Sequence, residues 1–218
     1  MTEQAKLKPE RLRLIYNNAN PSWAIEKAAE ASEEAPKIKE RWKGRKLIIF
    51  VGNLFIDGRD ISTLLKAFRR VKEEMPEALL ILVGEGPDKE QILRLARSLR
   101  IEGDVIVEGW KDNPFSYMLA CDILLAPALH EGFNNTILEA LYSNALVLGS
   151  RVGGTPEALK YEELLFPPKD EKGLATKVLE LLKNEEAYLR AKELIKKRRQ
   201  VFMFDWVEEM VTTIKEVK

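Results

Sequence analysis

One cysteine and one histidine are all that this 218-residue chain offers by way of thiol and imidazole, and each scarcity closes off a chemistry. Cys121 alone cannot form an internal disulfide, and Cys121 with His130 cannot build a zinc cluster, so no metal is implied. Ser143 and Thr155 have no nearby histidine and acid in a nucleophilic arrangement, and the lone His130 is read as structural. Net charge is missing too. Lys plus Arg and Asp plus Glu both total 35, so no electrostatic excess points to nucleic acid or to an acidic surface as a partner. No apolar run is long enough for a membrane span or a signal-peptide core, and the simplest expectation is a cytoplasmic, reducing setting. Glutamine is scarce while charged residues reach 32%, a composition that leans towards thermophilic proteins.

What is present is a regular alternation. Short apolar runs at Leu47–Val51, Leu79–Val83, Val105–Val107, Ile123–Ala126 and Leu146–Leu148, with a weaker one at Leu164–Phe166, read as buried strands. Amphipathic stretches separate them. Ile61–Glu74 and Lys89–Leu99 carry apolar residues at helical spacing, and Leu174–Leu182, Glu186–Gln200 and Trp206–Val217 read as a helical tail. This order predicts an α/β protein of repeated β-α units in a three-layer α/β/α architecture with a mainly parallel sheet. Glu26–Lys46, rich in Ala, Glu and Lys, reads as a partly helical, solvated approach to the first strand, with Trp23 and Trp42 as its anchors.

In open parallel sheets, chemistry gathers in the loops after strands. The most informative of these is EGFNNTILE, Glu131 to Glu139, where two carboxylates flank a turn that opens a helix. Gly132 is expected to relieve the backbone, Phe133 to pack beneath the turn, and Asn134 or Asn135 to cap a helix through Ile137, Leu138, Ala140 and Leu141. Free N–H groups at such a helix start favour an anion, and carboxylates beside them suit hydroxyl groups. The ligand expected here carries both. The GEGPDK turn at Gly84–Lys89 lacks the third glycine of a dinucleotide fingerprint, so Gly84 is read as ending a strand, Gly86 as permitting a turn, and Pro87 with Asp88 as starting a helix.

EGFNNTILE resembles the E-x7-E motif of retaining glycosyltransferases of the GT-B fold, family 4 in particular. Similar family patterns occur in order at FVGNL (Phe50–Leu54), LLKAF (Leu64–Phe68), ILVGEGP (Ile81–Pro87), VIVEGW (Val105–Trp110), ACDILLAP (Ala120–Pro127), RVGGTPE (Arg151–Glu157) and FDW (Phe204–Trp206). All of them belong to the family's C-terminal, donor-binding half. Arg11–Asn20 is similar to the segment joining the halves, with Asn18 where relatives have the glycine of an Asn-Gly turn. The chain is therefore expected to comprise an inter-domain segment, 1–20, and a nucleotide-sugar-binding Rossmann-like domain with C-terminal helices, 21–218.

The resemblance implies a site. Glu131 would lie beside the donor sugar as the catalytic carboxylate, and Glu139 would accept hydrogen bonds from the ribose. The N–H groups of Gly132, Phe133, Asn134, Asn135 and Thr136 would cradle sugar and diphosphate. Gly52 and Asn53 belong to the first donor loop, where Asn53 stands in place of a common arginine, and Arg59 keeps the role of a second, phosphate-holding cation. Gly84 borders the nucleotide, while Gly109, Trp110 and Lys111 meet the base chiefly through backbone, leaving the Trp110 side chain between packing and a place beside the base. Asn144 and Leu146 stand where relatives often have Gly and Pro, and Asn144 is expected to end its helix in a left-handed cap.

The implied reaction moves a sugar from a nucleotide diphosphate to a hydroxyl acceptor with anomeric configuration kept, and without a cofactor or metal. The acceptor-binding half lies outside this sequence and is expected in cis or in trans. Contact with a membrane surface would come through that half. Rival readings are a non-catalytic nucleotide-sugar-binding module or split subunit, and a GT-B epimerase or phosphorylase.

Overall fold

The structure, a computed structural model, describes residues 13–216. The first part of the expected inter-domain segment, 1–12, and the last two residues lie outside the described residues.

Six strands form one sheet: β1 (Lys46–Val51), β2 (Ala78–Val83), β3 (Val105–Gly109), β4 (Ile123–Ala126), β5 (Val147–Ser150) and β6 (Leu165–Phe166). Their order is β3-β2-β1-β4-β5-β6, and every strand pairing is parallel. Strands this apolar need cover on both faces. Ile48, Phe50, Leu80 and Leu82 face one buried cluster, whereas Leu47, Ile49, Leu79 and Ile81 face a second, smaller one. The period-two alternation of a strand thus feeds two cores at once.

Ten α-helices occur among the described residues, all but the last burying side chains: α1 (Pro21–Glu30), α2 (Ala35–Arg41), α3 (Ile61–Glu74), α4 (Lys89–Ser98), α5 (Phe115–Ala120), α6 (Asn135–Tyr142), α7 (Thr155–Leu159), α8 (Glu171–Lys183), α9 (Glu185–Val201) and α10 (Trp206–Glu216). The smaller core takes Ala35 and Ile38 from α2, with half-buried Trp42 against it. Trp23 meets Phe115 edge-on, centroids 6.1 Å apart, so both tryptophans anchor the approach to β1. On the opposite face Leu64, Leu65, Phe68 and Val71 of α3 and Leu174 and Val178 of α8 join the large core. Arg198 of α9 is buried there, donating to the carbonyls of Ala158 (2.9 Å) and Glu157 (2.7 Å) at the end of α7.

The sequence-expected strands are all found, with shifted ends. β3 runs on to Gly109, and β5 begins at Val147 and reaches the polar Ser150. Asn144 has φ 53 and closes α6 in the left-handed region, as expected. The stretch expected to be inter-domain turns elsewhere than at Asn18. Its left-handed residues are Ala19 (φ 47) and Asn20 (φ 51), and the Asn20 side chain accepts from the Trp23 N–H to cap α1.

The chain reaches the end of β1, leaves for β2 and β3 on one side, then crosses back to lay β4 against the other flank of β1. The carboxyl ends of β1 and β4 therefore form the point where the winding reverses, the place where a crevice opens above such sheets.

Candidate functional site

Two pairs of loops build the upper face. The first joins the segment after β1 to the one after β2. Gly52 N–H donates to Val83 O (3.0 Å), Leu54 N–H to Glu85 O (2.9 Å) and Asp88 N–H to Leu54 O (3.2 Å), while the Asp88 carboxylate accepts from Ile56 N–H (2.8 Å). A Cβ on Gly86 would collide with the Leu54 backbone, so this glycine serves close approach and not the awkward turn expected of it. Gly84 has φ 141 and its Cβ would strike the Gly52 carbonyl. Its N–H donates to Gly109 O (2.9 Å), which ties in the loop after β3.

Asn53 is exposed. Lys111 lies 3.4 Å from the Glu108 carboxylate, which also meets Arg41 (2.9 Å) and accepts from the Tyr117 hydroxyl (2.7 Å). Glu108 is almost wholly buried and gathers these groups about itself, so the Lys111 ammonium is committed to a structural cluster. Trp110 is 68% exposed, its indole N–H donating to Asp112 (3.2 Å), which removes packing as its role.

The second pair joins the loop after β4 to the one after β5. Buried Ser150 links them, its hydroxyl accepting from Ala128 N–H (2.7 Å) and donating to Ala128 O (2.8 Å). Gly154 N–H donates to Gly132 O (2.7 Å). Gly153, at φ 50, lies so close that a Cβ would overlap the Glu131 carbonyl. This reassigns the glycine requirement. Gly132 lacks positive φ and has open space where a Cβ would sit, so the backbone relief expected there resides in Gly153.

Asn134 caps α6, its side chain accepting from Thr136 N–H (3.0 Å). Phe133 does pack beneath the turn, stacked on Tyr16 (centroids 5.9 Å, 29° between planes) and edge-on to Phe202 (5.9 Å). Tyr142 has its hydroxyl within reach of the Asn18 and Phe202 carbonyls, and Asn17 donates to the Asn135 side-chain oxygen (2.7 Å). Tyr16 and Asn17 thus brace the motif loop from the start of the described chain. Nothing in the sequence pattern assigned them a part in the site, because each acts through a partner more than a hundred positions away.

Of the five N–H groups expected to cradle a ligand, two already have acceptors. Gly132 N–H donates to the Glu131 carboxylate (3.1 Å) and Thr136 N–H to Asn134. Those of Phe133, Asn134 and Asn135 have no acceptor among the described residues. Arg59, on the loop leading into α3, crosses from the first loop pair to the second and forms an ion pair with Glu131. Glu139 lies one turn into α6, largely buried, and desolvation pushes its carboxyl up to about 7. His130 is exposed. Among the described residues no group of three or more His, Cys, Asp or Glu side chains gathers as metal ligands would. Hollows among the described residues include one of about 630 Å³ between segments 17–22 and 203–207 and one of about 450 Å³ between α8 and α9.

The chain matches known proteins both in sequence and in fold. Residues 31–198 match the family model described as Glycosyl transferases group 1. The chain belongs to this glycosyltransferase family. It is 32% identical over 148 residues to the N-acetyl-alpha-D-glucosaminyl L-malate synthase of Bacillus anthracis, covering 67% of this chain and 38% of that one. Among solved structures it is similar to Anabaena HepE in complex with UDP, with TM-score 0.79 and 18% identity over 98% of this chain and 60% of that chain. It is also similar to the C-terminal domain of a glycosyl transferase group 1 family protein (LpcC) from Francisella tularensis, with TM-score 0.65 and 18% identity over 77% of this chain and 89% of that one. The chain thus spans less than two thirds of the first two relatives. Within this glycosyltransferase chain no described helix is long and apolar enough to cross a membrane.

Proposed function

We propose that this chain is the donor-binding half of a retaining glycosyltransferase of family 4, taking a nucleotide-diphosphate sugar and delivering its sugar to a hydroxyl acceptor. One observation carries the reading: the α6 start, with three N–H groups that have no acceptor among the described residues, stands between Glu131 and Glu139 with Arg59 opposite. Diphosphate lies over the N–H groups of Phe133, Asn134 and Asn135, where the helix dipole and Arg59 stabilise the charge that grows as the nucleotide departs. Glu139 accepts from the ribose hydroxyls. Glu131 faces the sugar as the catalytic carboxylate, stabilising positive charge at the anomeric carbon. The chemistry calls on no metal or cofactor.

Several observations support the domain reading. The likeness to HepE covers only part of that chain, whereas the likeness to the LpcC C-terminal domain covers most of it. Segment 1–20 joins this body, 21–218, to an acceptor-binding N-terminal domain supplied in cis or in trans. A non-catalytic binding module or split subunit is the second reading, favoured by the exposed, uncharged Asn53 where a phosphate-holding cation is common in the family.

Calorimetry with UDP, GDP and ADP against their monophosphates tests the site. One diphosphate is expected to bind more tightly than its monophosphate, and Arg59→Ala to cost about 1.5 to 3 kcal/mol of that binding, the worth of a charge-assisted hydrogen bond. Equal weak binding of all six would sink the assignment. Labelled nucleotide sugars with candidate acceptors then test the domain reading: transfer is expected only when an N-terminal domain is supplied, because acceptor and donor must be held together.

A further inference from the structure

Glu131 already holds the groups that a nucleotide's phosphates would seek. One of its carboxylate oxygens accepts from Arg59 and the other from the Gly132 N–H, 3.1 Å away. Arg59 has no other side-chain hydrogen bond among the described residues. The pair is partly shielded from water, with side-chain exposures of 35% for Arg59 and 15% for Glu131, so solvent and salt do not erase it. Gly153, packed on the Glu131 carbonyl, fixes the backbone beneath, and any exchange of partners is confined to the two side chains.

We infer that Glu131 is an internal competitor for the phosphate-binding groups, and that this competition makes the site discriminate a nucleotide sugar from the free nucleoside diphosphate. The inference rests on the proposed donor site. A diphosphate that draws Arg59 away leaves the Glu131 carboxylate unpaired and facing a second anion, which disfavours the complex. A nucleotide sugar brings hydroxyl donors that the freed carboxylate accepts, and this offsets the lost pair. The free diphosphate brings none. Once the sugar has left, Glu131 recaptures Arg59 and the spent nucleotide is released more readily.

The experiment is calorimetry on the full chain and on Glu131→Gln, Glu131→Ala and Arg59→Ala/Glu131→Gln, with UDP, GDP and ADP and their glucose conjugates as probes. Thermal melts check that each variant is folded. Glu131→Gln keeps the shape and removes the charge. It is expected to bind the preferred diphosphate about 1.5- to fivefold more tightly than the wild type, the range for one partly exposed ion pair. The conjugate should gain less or lose affinity. Glu131→Ala should show the same sign for the diphosphate, and Glu131→Gln should help less in the Arg59→Ala background than in the wild type, because only the repulsion between carboxylate and diphosphate, and no competition for Arg59, is left to remove. Wild-type binding that both Glu131 variants leave unchanged or weaken overturns the inference alone. No diphosphate binding by any of these proteins overturns the donor-site reading and the inference with it.

Discussion

The two loop pairs above the sheet are built alike and equipped differently. Each is closed by backbone hydrogen bonds and by a glycine of positive φ set against the facing carbonyl, Gly84 on Gly52 and Gly153 on Glu131. The pair after β1 and β2 leaves Phe55 and, beyond β3, Trp110 exposed, while its nearby ammonium, Lys111, is drawn into the Glu108 cluster. The pair after β4 and β5 carries Glu131, the α6 start and Glu139, and receives Arg59 from across the reversal. One half is a platform with aromatic edges, and the other holds the charge. The same backbone device thus supports two chemistries, because close packing of loops constrains main chain and leaves outward side chains free to vary.

The largest expected effect comes from breaking the charged half. Gly153→Ala puts a Cβ into the Glu131 carbonyl at a strained φ and should lower stability by about 2 to 4 kcal/mol in urea unfolding. Gly84→Ala should cost a similar amount. Calorimetry then separates the halves: Gly153→Ala should erase the preference for diphosphate over monophosphate, and Gly84→Ala should keep it. Loss of the preference in both would mean that the halves do not differ as described.

Glu139 gives the next effect. Its folded value of about 7 stands above the ordinary 4.5, so burial disfavours the charged form. The native state carries no such penalty below about pH 4.5 and loses stability as pH rises through 7. Glu139→Gln should therefore match the wild type in acid and exceed it by about 2 to 3 kcal/mol at pH 8 in urea titrations, an order-of-magnitude figure for a largely buried carboxyl. Nucleotide binding should run the opposite way. Ribose hydroxyls donate to the carboxylate, so wild-type affinity should rise from pH 6 to 8 with proton release, whereas a flat profile would remove Glu139 from the ribose.

Smaller changes sharpen the contrast. Asn17→Ala removes the brace on Asn135 and should weaken diphosphate binding by about 0.5 to 1 kcal/mol, the low end for an exposed hydrogen bond. An unchanged affinity would remove Asn17 from the site. Trp110→Ala should leave stability within about 0.5 kcal/mol, since the ring is exposed. Any loss of affinity there should be equal for diphosphate and monophosphate, and a loss confined to the diphosphate would place Trp110 with the charged half.

Strand interiors were legible because short apolar runs such as Leu47–Val51 and Leu79–Val83, set between turn residues and amphipathic stretches, suit strands buried on both faces. Ends were harder. β5 reaches Ser150 because Ala128, on the neighbouring loop, satisfies a buried hydroxyl that reads as a strand terminator. Helices α5 and α7, of six and five residues, were not individually placed, being too short to show a periodic stripe. Within the site, Asn134 as cap and Phe133 as packing residue were readable, since both act on their own loop.

By itself the sequence determined the alternation of strand and helix, the family motifs and the residues able to handle phosphate and hydroxyl groups, all of which rest on local pattern. Tertiary structure alone decided that Lys111 serves Glu108, that Gly153 and not Gly132 bears the strain, that Tyr16 and Asn17 brace the loop, and that Arg59 pairs with Glu131. Each of those depends on which distant backbone arrives within hydrogen-bond or van der Waals reach. A charged or left-handed residue takes its role from the nearest partner in space, and the order of winding of the sheet sets that partner.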